Sequence, residues 1–152
     1  MSIRNIKTNL TSCGNNIPST NEKVGDFSGV IVALRDIDKP ERPNLVGAID
    51  IKAKNSQGIE EPGVFTILLN FNPEKAQGSL DYFTNIAKNA QASAGLEVEW
   101  DKEFVMNDER NDFADAIEEL IKSKAEVHFH QSATVVKTST GMKTSTEIRF
   151  LK

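Results

Sequence analysis

The chain has 152 residues, 38% of them hydrophobic and set in patterned runs, which is enough for one ordinary domain with a core and excludes wholesale disorder. A single cysteine, Cys13, excludes an intrachain disulfide framework and a cysteine-based zinc site. The formal net charge of -4 argues against a nonspecific duplex binder with a broad basic surface.

Charge is segregated along the chain. Residues 1–80 are balanced, 81–119 carry three basic and eleven acidic side chains, and 120–152 carry six basic and two acidic ones. Met1-Ser2-Ile3-Arg4-Asn5 leads into polar residues rather than an apolar signal core, and no run is long enough to span a bilayer. The expectation is a soluble cytoplasmic protein with no membrane partner.

Residues 1–26 lack periodicity and are rich in turn formers from Thr11 to Thr20, so they are expected to form an arm or extended loop, with a strand or exchanged arm as the alternative. Strand patterns follow at 27–36, 45–54 and 64–71. Gly29 within the first suggests a bulge or bend. Pro40 and Pro43 place a loop before the second, where Lys52 and Lys54 alternate outward.

Ser79 suits the N-cap of a helix from Leu80 to about Ala92, with Leu80, Phe83, Ala87 and Ala90 on its apolar stripe and Gly95 as its stop. Leu96 to Trp100 reads as a short strand or an extended link. Asn107 or Asp108 suits the cap of a second helix reaching about Ser123, buried through Phe113, Ile117, Leu120 and Ile121. Asp112, Asp115, Glu118 and Glu119 crowd its outer face. Strands at 125–137 and 143–151 flank a turn at Ser139-Thr140-Gly141-Met142 and close the chain.

This order predicts a mainly β fold: a five-stranded barrel of the oligonucleotide-binding (OB) type spanning 27–152, with a two-helix insertion between strands three and four. An open α+β sheet has nearly the same strand list.

Single-stranded DNA asks for cations along its phosphates and flat rings under its bases. The candidate cations are Arg35, Lys52, Lys54, Lys122, Lys124, Lys137, Lys143 and Arg149, joined by His128 and His130, whose i,i+2 spacing puts both on one strand face. Most rings fit apolar stripes, which leaves Tyr82 and Trp100 as candidate stacking platforms, although Trp100 stands among Glu97, Glu99, Asp101 and Glu103. His128, His130 and Glu126 are too thin a set for zinc, and the helical carboxylates lack a partner base or nucleophile. No catalytic residue, metal or cofactor is expected.

From Phe113 to Phe150 the chain runs from a helix ending Glu119-Leu120-Ile121-Lys122-Ser123-Lys124-Ala125, through Val127-His128-Phe129, to a polar hairpin closing on Glu147-Ile148-Arg149-Phe150. This pattern resembles small phage-encoded proteins related to single-stranded DNA-binding proteins, and the element order from Phe27 to Phe71 is compatible with them. The resemblance implies an OB fold that coats unpaired DNA in replication or recombination, in the cytoplasm of a host cell, beside replication or recombination proteins. Many such proteins end in an acidic tail that recruits partners. Here the chain ends Arg149-Phe150-Leu151-Lys152, so acidic recruitment would fall to 97–119.

The leading expectation is therefore non-catalytic, largely sequence-nonspecific binding of single-stranded DNA. Its competitor is a protein–protein module, or an inhibitor mimicking nucleic-acid charge, that acts through 97–119 with Trp100 and Met106. A third reading is an assembly component exchanging its 1–26 arm. Homodimerisation is compatible with each.

Overall fold

Period-two alternation of buried and exposed side chains marks the sheet. In Phe65-Thr66-Ile67-Leu68-Leu69, the first, third and fifth side chains are fully buried and the other two half-buried. The structure is a computed structural model that describes residues 8–10, 17–19, 23–107 and 109–151. The described strands are β1 (Thr8–Leu10), β2 (Ile17–Ser19), β3 (Gly25–Asp36), β4 (Leu45–Asn55), β5 (Phe65–Asn70), β6 (Phe104–Met106), β7 (Glu126–Thr138) and β8 (Gly141–Phe150). Helices α1 (Ala76–Ser93) and α2 (Asp112–Ser123) lie between β5 and β7 in the chain.

The five long strands form one antiparallel sheet in the order β5-β4-β3-β7-β8, each within two residues of its expected bounds. The expected five-stranded barrel is corrected. β5 and β8 are not paired with each other. Instead β2 occupies the outer edge of β8, through Ile17↔Ile148, Pro18↔Glu147 and Ser19↔Thr146. β2 meets β5 at the single pair Ser19↔Ile67. The circuit of neighbouring strands is thus completed only by this three-residue segment and one residue pair, which is not a ladder. The five-strand sheet itself stays open, because the edge its closure needs is already taken.

The architecture is a mixed α/β one: an open antiparallel sheet with a helical insertion. The resemblance to the phage-type DNA-binding family is corrected with it, since what that resemblance implied was a closed OB barrel. Two short strands fall within the stretch expected as an arm. β2 lies beside β8, and β1 pairs with β6 over Thr8↔Met106 to Leu10↔Phe104.

The sheet's inner face is aromatic. The Phe27 ring lies 4.7 Å from that of Phe65 and 5.6 Å from that of Phe129, and Phe65 meets Phe129 edge-on at 5.2 Å. Phe83 of α1 and Phe113 of α2 join the helices at 5.4 Å. Gly29 sits in regular register opposite Ala53 and Val127. A Cβ built on it would lie 2.2 Å from the Lys52 carbonyl oxygen and 2.6 Å from Ala53 Cα, so β3 and β4 approach more closely than any side chain permits. The irregularity expected at Gly29 falls instead between Ile31 and Ala33, where the β3–β4 register shifts.

Both helices begin elsewhere than expected. A 3-10 turn at Pro73–Lys75 leads into α1, and its cap is Asn72, whose Oδ1 accepts from Glu74 N at 3.0 Å. Ser79 reaches back instead, its Oγ accepting from Asn72 N at 3.0 Å. Asn107 forms an Asx turn, accepting from Glu109 N at 2.9 Å and Arg110 N at 3.0 Å. Asn111 then caps α2 by accepting from Ala114 N at 3.0 Å. Residues 96–99 form no strand; the strand of this region is β6. No described helix is long and apolar enough to cross a membrane.

Candidate nucleic-acid interface

Cross-strand register determines which polar side chains share a surface, because directly opposed residues point to the same side of a sheet. Phe27, Phe129, Val127, Ile51 and Ala53 point into the core, so their alternate neighbours point out. Three consecutive rows therefore cross the outer face of β4, β3, β7 and β8. Lys52 lies opposite Val30, which lies opposite Glu126; Lys54 opposite Ser28, then His128; and Asp26 opposite His130, then Arg149. Five of the expected contact residues are thus gathered: Lys52, Lys54, His128, His130 and Arg149.

Carboxylates interleave with them, a feature missed by reading the strands one at a time. Glu126 lies 3.9 Å from Lys54 Nζ and 3.6 Å from His128 Nε2, and Asp26 Oδ1 lies 2.7 Å from His130 Nδ1. All five side chains are more than a third exposed. Such exposed pairs are worth about 0–1 kcal/mol, so a phosphate can replace the carboxylate at little cost. A hollow of about 150 Å³ opens between Ser28, Val30, Lys52, Lys54, Glu60 and Glu126.

Other expected residues lie apart. Arg35, beyond the β3 irregularity, is held by Asp50: its Nε donates to Oδ2 at 2.7 Å and its Nη2 to Oδ1 at 3.1 Å. Asp50 also accepts from Thr66 Oγ1 at 2.8 Å. The Asp50 hydrogen bond raises the Arg35 guanidinium further above its ordinary value. Lys122 and Lys124 end α2, where Lys124 takes a left-handed conformation with φ 54° and its N–H returns to Ile121 O. Lys137 lies on β7 seven residues past His130, roughly 24 Å along the strand. Lys143 lies opposite Val136 in the β7–β8 register, and its side chain is outside the described ones.

Neither expected ring stands on the cationic face. Tyr82 is half-buried, donates to Leu68 O at 3.3 Å and packs 5.8 Å from Phe83; desolvation pushes its hydroxyl up to about 12. Trp100, 37% exposed, sits on the turn of the acidic segment. Its carbonyl accepts from Lys88 Nζ at 2.9 Å. Lys88 is buried at 1% exposure, donates also to Lys102 O, and has its Nζ 5.2 Å from the centre of the Phe104 ring. Burial lowers its amine below the ordinary lysine value, while Asp101 and Glu99 oppose that shift. Lys88 thus pins the 100–102 turn to α1, and nothing in the local sequence pattern marks it.

The exposed carboxylates Asp115, Glu118 and Glu119 lie on α2 opposite its buried stripe. Among the described residues, no group of three His, Cys, Asp or Glu side chains is placed to hold a metal ion. Comparison with protein-family models, with curated proteins and with solved structures finds no match to this chain.

Proposed function

We infer that this protein is a non-catalytic, largely sequence-nonspecific binder of single-stranded DNA, acting in the cytoplasm in support of replication or recombination. The observation that carries the reading is the placement of Lys52, Lys54, His128, His130 and Arg149 in three adjacent rows on one sheet face. The carboxylates beside Lys54, His128 and His130 are exposed and replaceable. Val30 stands half-buried among them and Val32 is exposed further along β3, so bases would meet aliphatic rather than aromatic surface. All eight phenylalanines are buried in the core. Binding without stacking forgoes about 1–3 kcal/mol per base and leaves phosphate attraction as the main term, so affinity should be modest and steeply salt-dependent. Anisotropy titration of labelled poly-dT over a salt series tests this. Association that weakens as salt rises supports it, and none at low salt rejects it.

A second reading is favoured by one observation: Leu96 and Trp100 are exposed on an acidic segment whose turn Lys88 anchors to α1. That is a preorganised surface suited to a basic protein partner. Charge reversal across Asp108–Glu119 that abolishes capture of such a partner, with DNA binding absent, would favour it.

A further inference from the structure

The pairing of β7 with β3 ends at Gly25↔Gln131, and that of β2 with β8 ends at Ser19↔Thr146. Beyond those pairs β7 and β8 continue together to Thr138↔Gly141, with no other strand beside them among the described residues. The result is a two-stranded ribbon exposed on both faces: Thr134 on one, Val135, Lys137, Met142 and Thr144 on the other. A two-stranded ribbon has little packing of its own, and this one extends the β7–β8 ladder past the sheet with both faces open.

Its chemistry shows what it suits. Met142 and Val135, 69% and 61% exposed, are the most exposed large hydrophobic residues among those described. From Gln131 to Thr146 there is no carboxylate, in a chain with 22 of them; there are Lys137, Lys143 and a run of Thr and Ser hydroxyls. Ammonium and hydroxyl groups are the usual donors to phosphate oxygens. The turn is fixed from within, Thr138 Oγ1 donating to Gly141 O at 2.8 Å. A ribbon of two strands fits the major groove of duplex DNA, and its apolar side chains suit thymine methyls or an opened base step. From Thr134 to Thr138 it runs roughly 14 Å, or about four base-pair steps.

We propose that the β7–β8 ribbon is a contact for duplex DNA, so that the protein seats on junctions where duplex passes into single strand. The proposal rests on the single-strand reading for the sheet face and adds a second ligand class at a second place. The uncharged and cationic ribbon is complementary to a polyanion. Against a second copy of itself it would set lysines against lysines.

The test is anisotropy at one low salt concentration with three DNAs of equal length: a single strand, a duplex, and a duplex with a single-stranded overhang. Two variants accompany the full chain. One carries Lys137→Glu; the other replaces residues Val135–Thr144 with Asn-Gly, a two-residue turn suited to rejoining Thr134 and Ser145. The junction should bind about ten-fold or more tighter than the single strand, since the two contacts are linked. Both variants should erase that advantage and leave single-strand affinity unchanged. Equal affinity of the full chain for junction and single strand overturns the proposal. So does a truncation that weakens single-strand and junction binding alike, or one that changes only the mass seen by light scattering. Ribbon-dependent duplex binding with no single-strand binding sinks the single-strand reading and leaves the ribbon assignment standing.

Discussion

Arg35 is clamped to Asp50 by two hydrogen bonds, at 2.7 and 3.1 Å, and this takes it out of the set of cations available to a ligand. Fork-to-fork pairing of this kind is the strong form of an ion pair, but Arg35 keeps half of its side chain in solvent. Arg35→Ala should therefore cost about 1 kcal/mol of stability, read as a lower urea midpoint. It should leave poly-dT affinity within error of the parent. A large loss of affinity at unchanged stability would return Arg35 to the interface.

Gly29 tests how tightly β3 and β4 are pressed together. The atoms that a new methyl group meets are backbone, the Lys52 carbonyl oxygen and Ala53 Cα, and these cannot swing away as a side chain can. Gly29→Ala should destabilise the fold by roughly 3 kcal/mol, at the upper end of overpacking costs. Thermal unfolding followed by circular dichroism reads this directly, and a variant as stable as the parent would contradict the close approach.

Tyr82 is the chain's single tyrosine, so its phenol can be titrated by ultraviolet absorbance without ambiguity. Its proton is held to about 12 in the folded state against an ordinary value of 10.0. A raised folded value contributes stability that is complete below pH 10 and is lost as the pH rises through about 12. The native protein should ionise about two units higher than the same chain in denaturant, and Tyr82→Phe should abolish this part of the alkaline stability loss. Coincident native and denatured titrations would show that the ring is not desolvated.

Lys124 takes the left-handed position that ends α2, with φ 54°, where a side chain is strained. Lys124→Gly should raise stability by roughly 1 kcal/mol, measured by denaturant midpoint. Because Lys124 lies outside the three-row face, poly-dT binding should change little.

Much of the sheet was legible in the sequence. Alternating runs such as Val127, Phe129 and Gln131 against Glu126, His128 and His130 report their two faces directly, and the long strands appear where that alternation does. β1 and β6 were not legible, because three residues carry no period and their pairing is long-range. The choice between a barrel and an open sheet, which share a strand list, was not legible for a related reason. Alternation says which face a residue occupies, not that Ile17-Pro18-Ser19 takes the edge of β8 that closure of the barrel needs. Of the candidate site, Lys52 with Lys54 and His128 with His130 were visible as same-face pairs. The capture of Arg35 by Asp50, and the carboxylates Asp26 and Glu126 set among the cations, depend on cross-strand contacts that no single strand displays.

The central claim, that Lys52 and Lys54 meet DNA phosphates, is tested most directly by the salt slope of poly-dT binding. Each phosphate neutralised on a single strand contributes about 0.7 to the slope of log affinity against log salt. Lys52→Ala/Lys54→Ala should weaken binding and flatten that slope by about 1.4 relative to the parent. Parent and variant lines of the same slope and height would contradict the account.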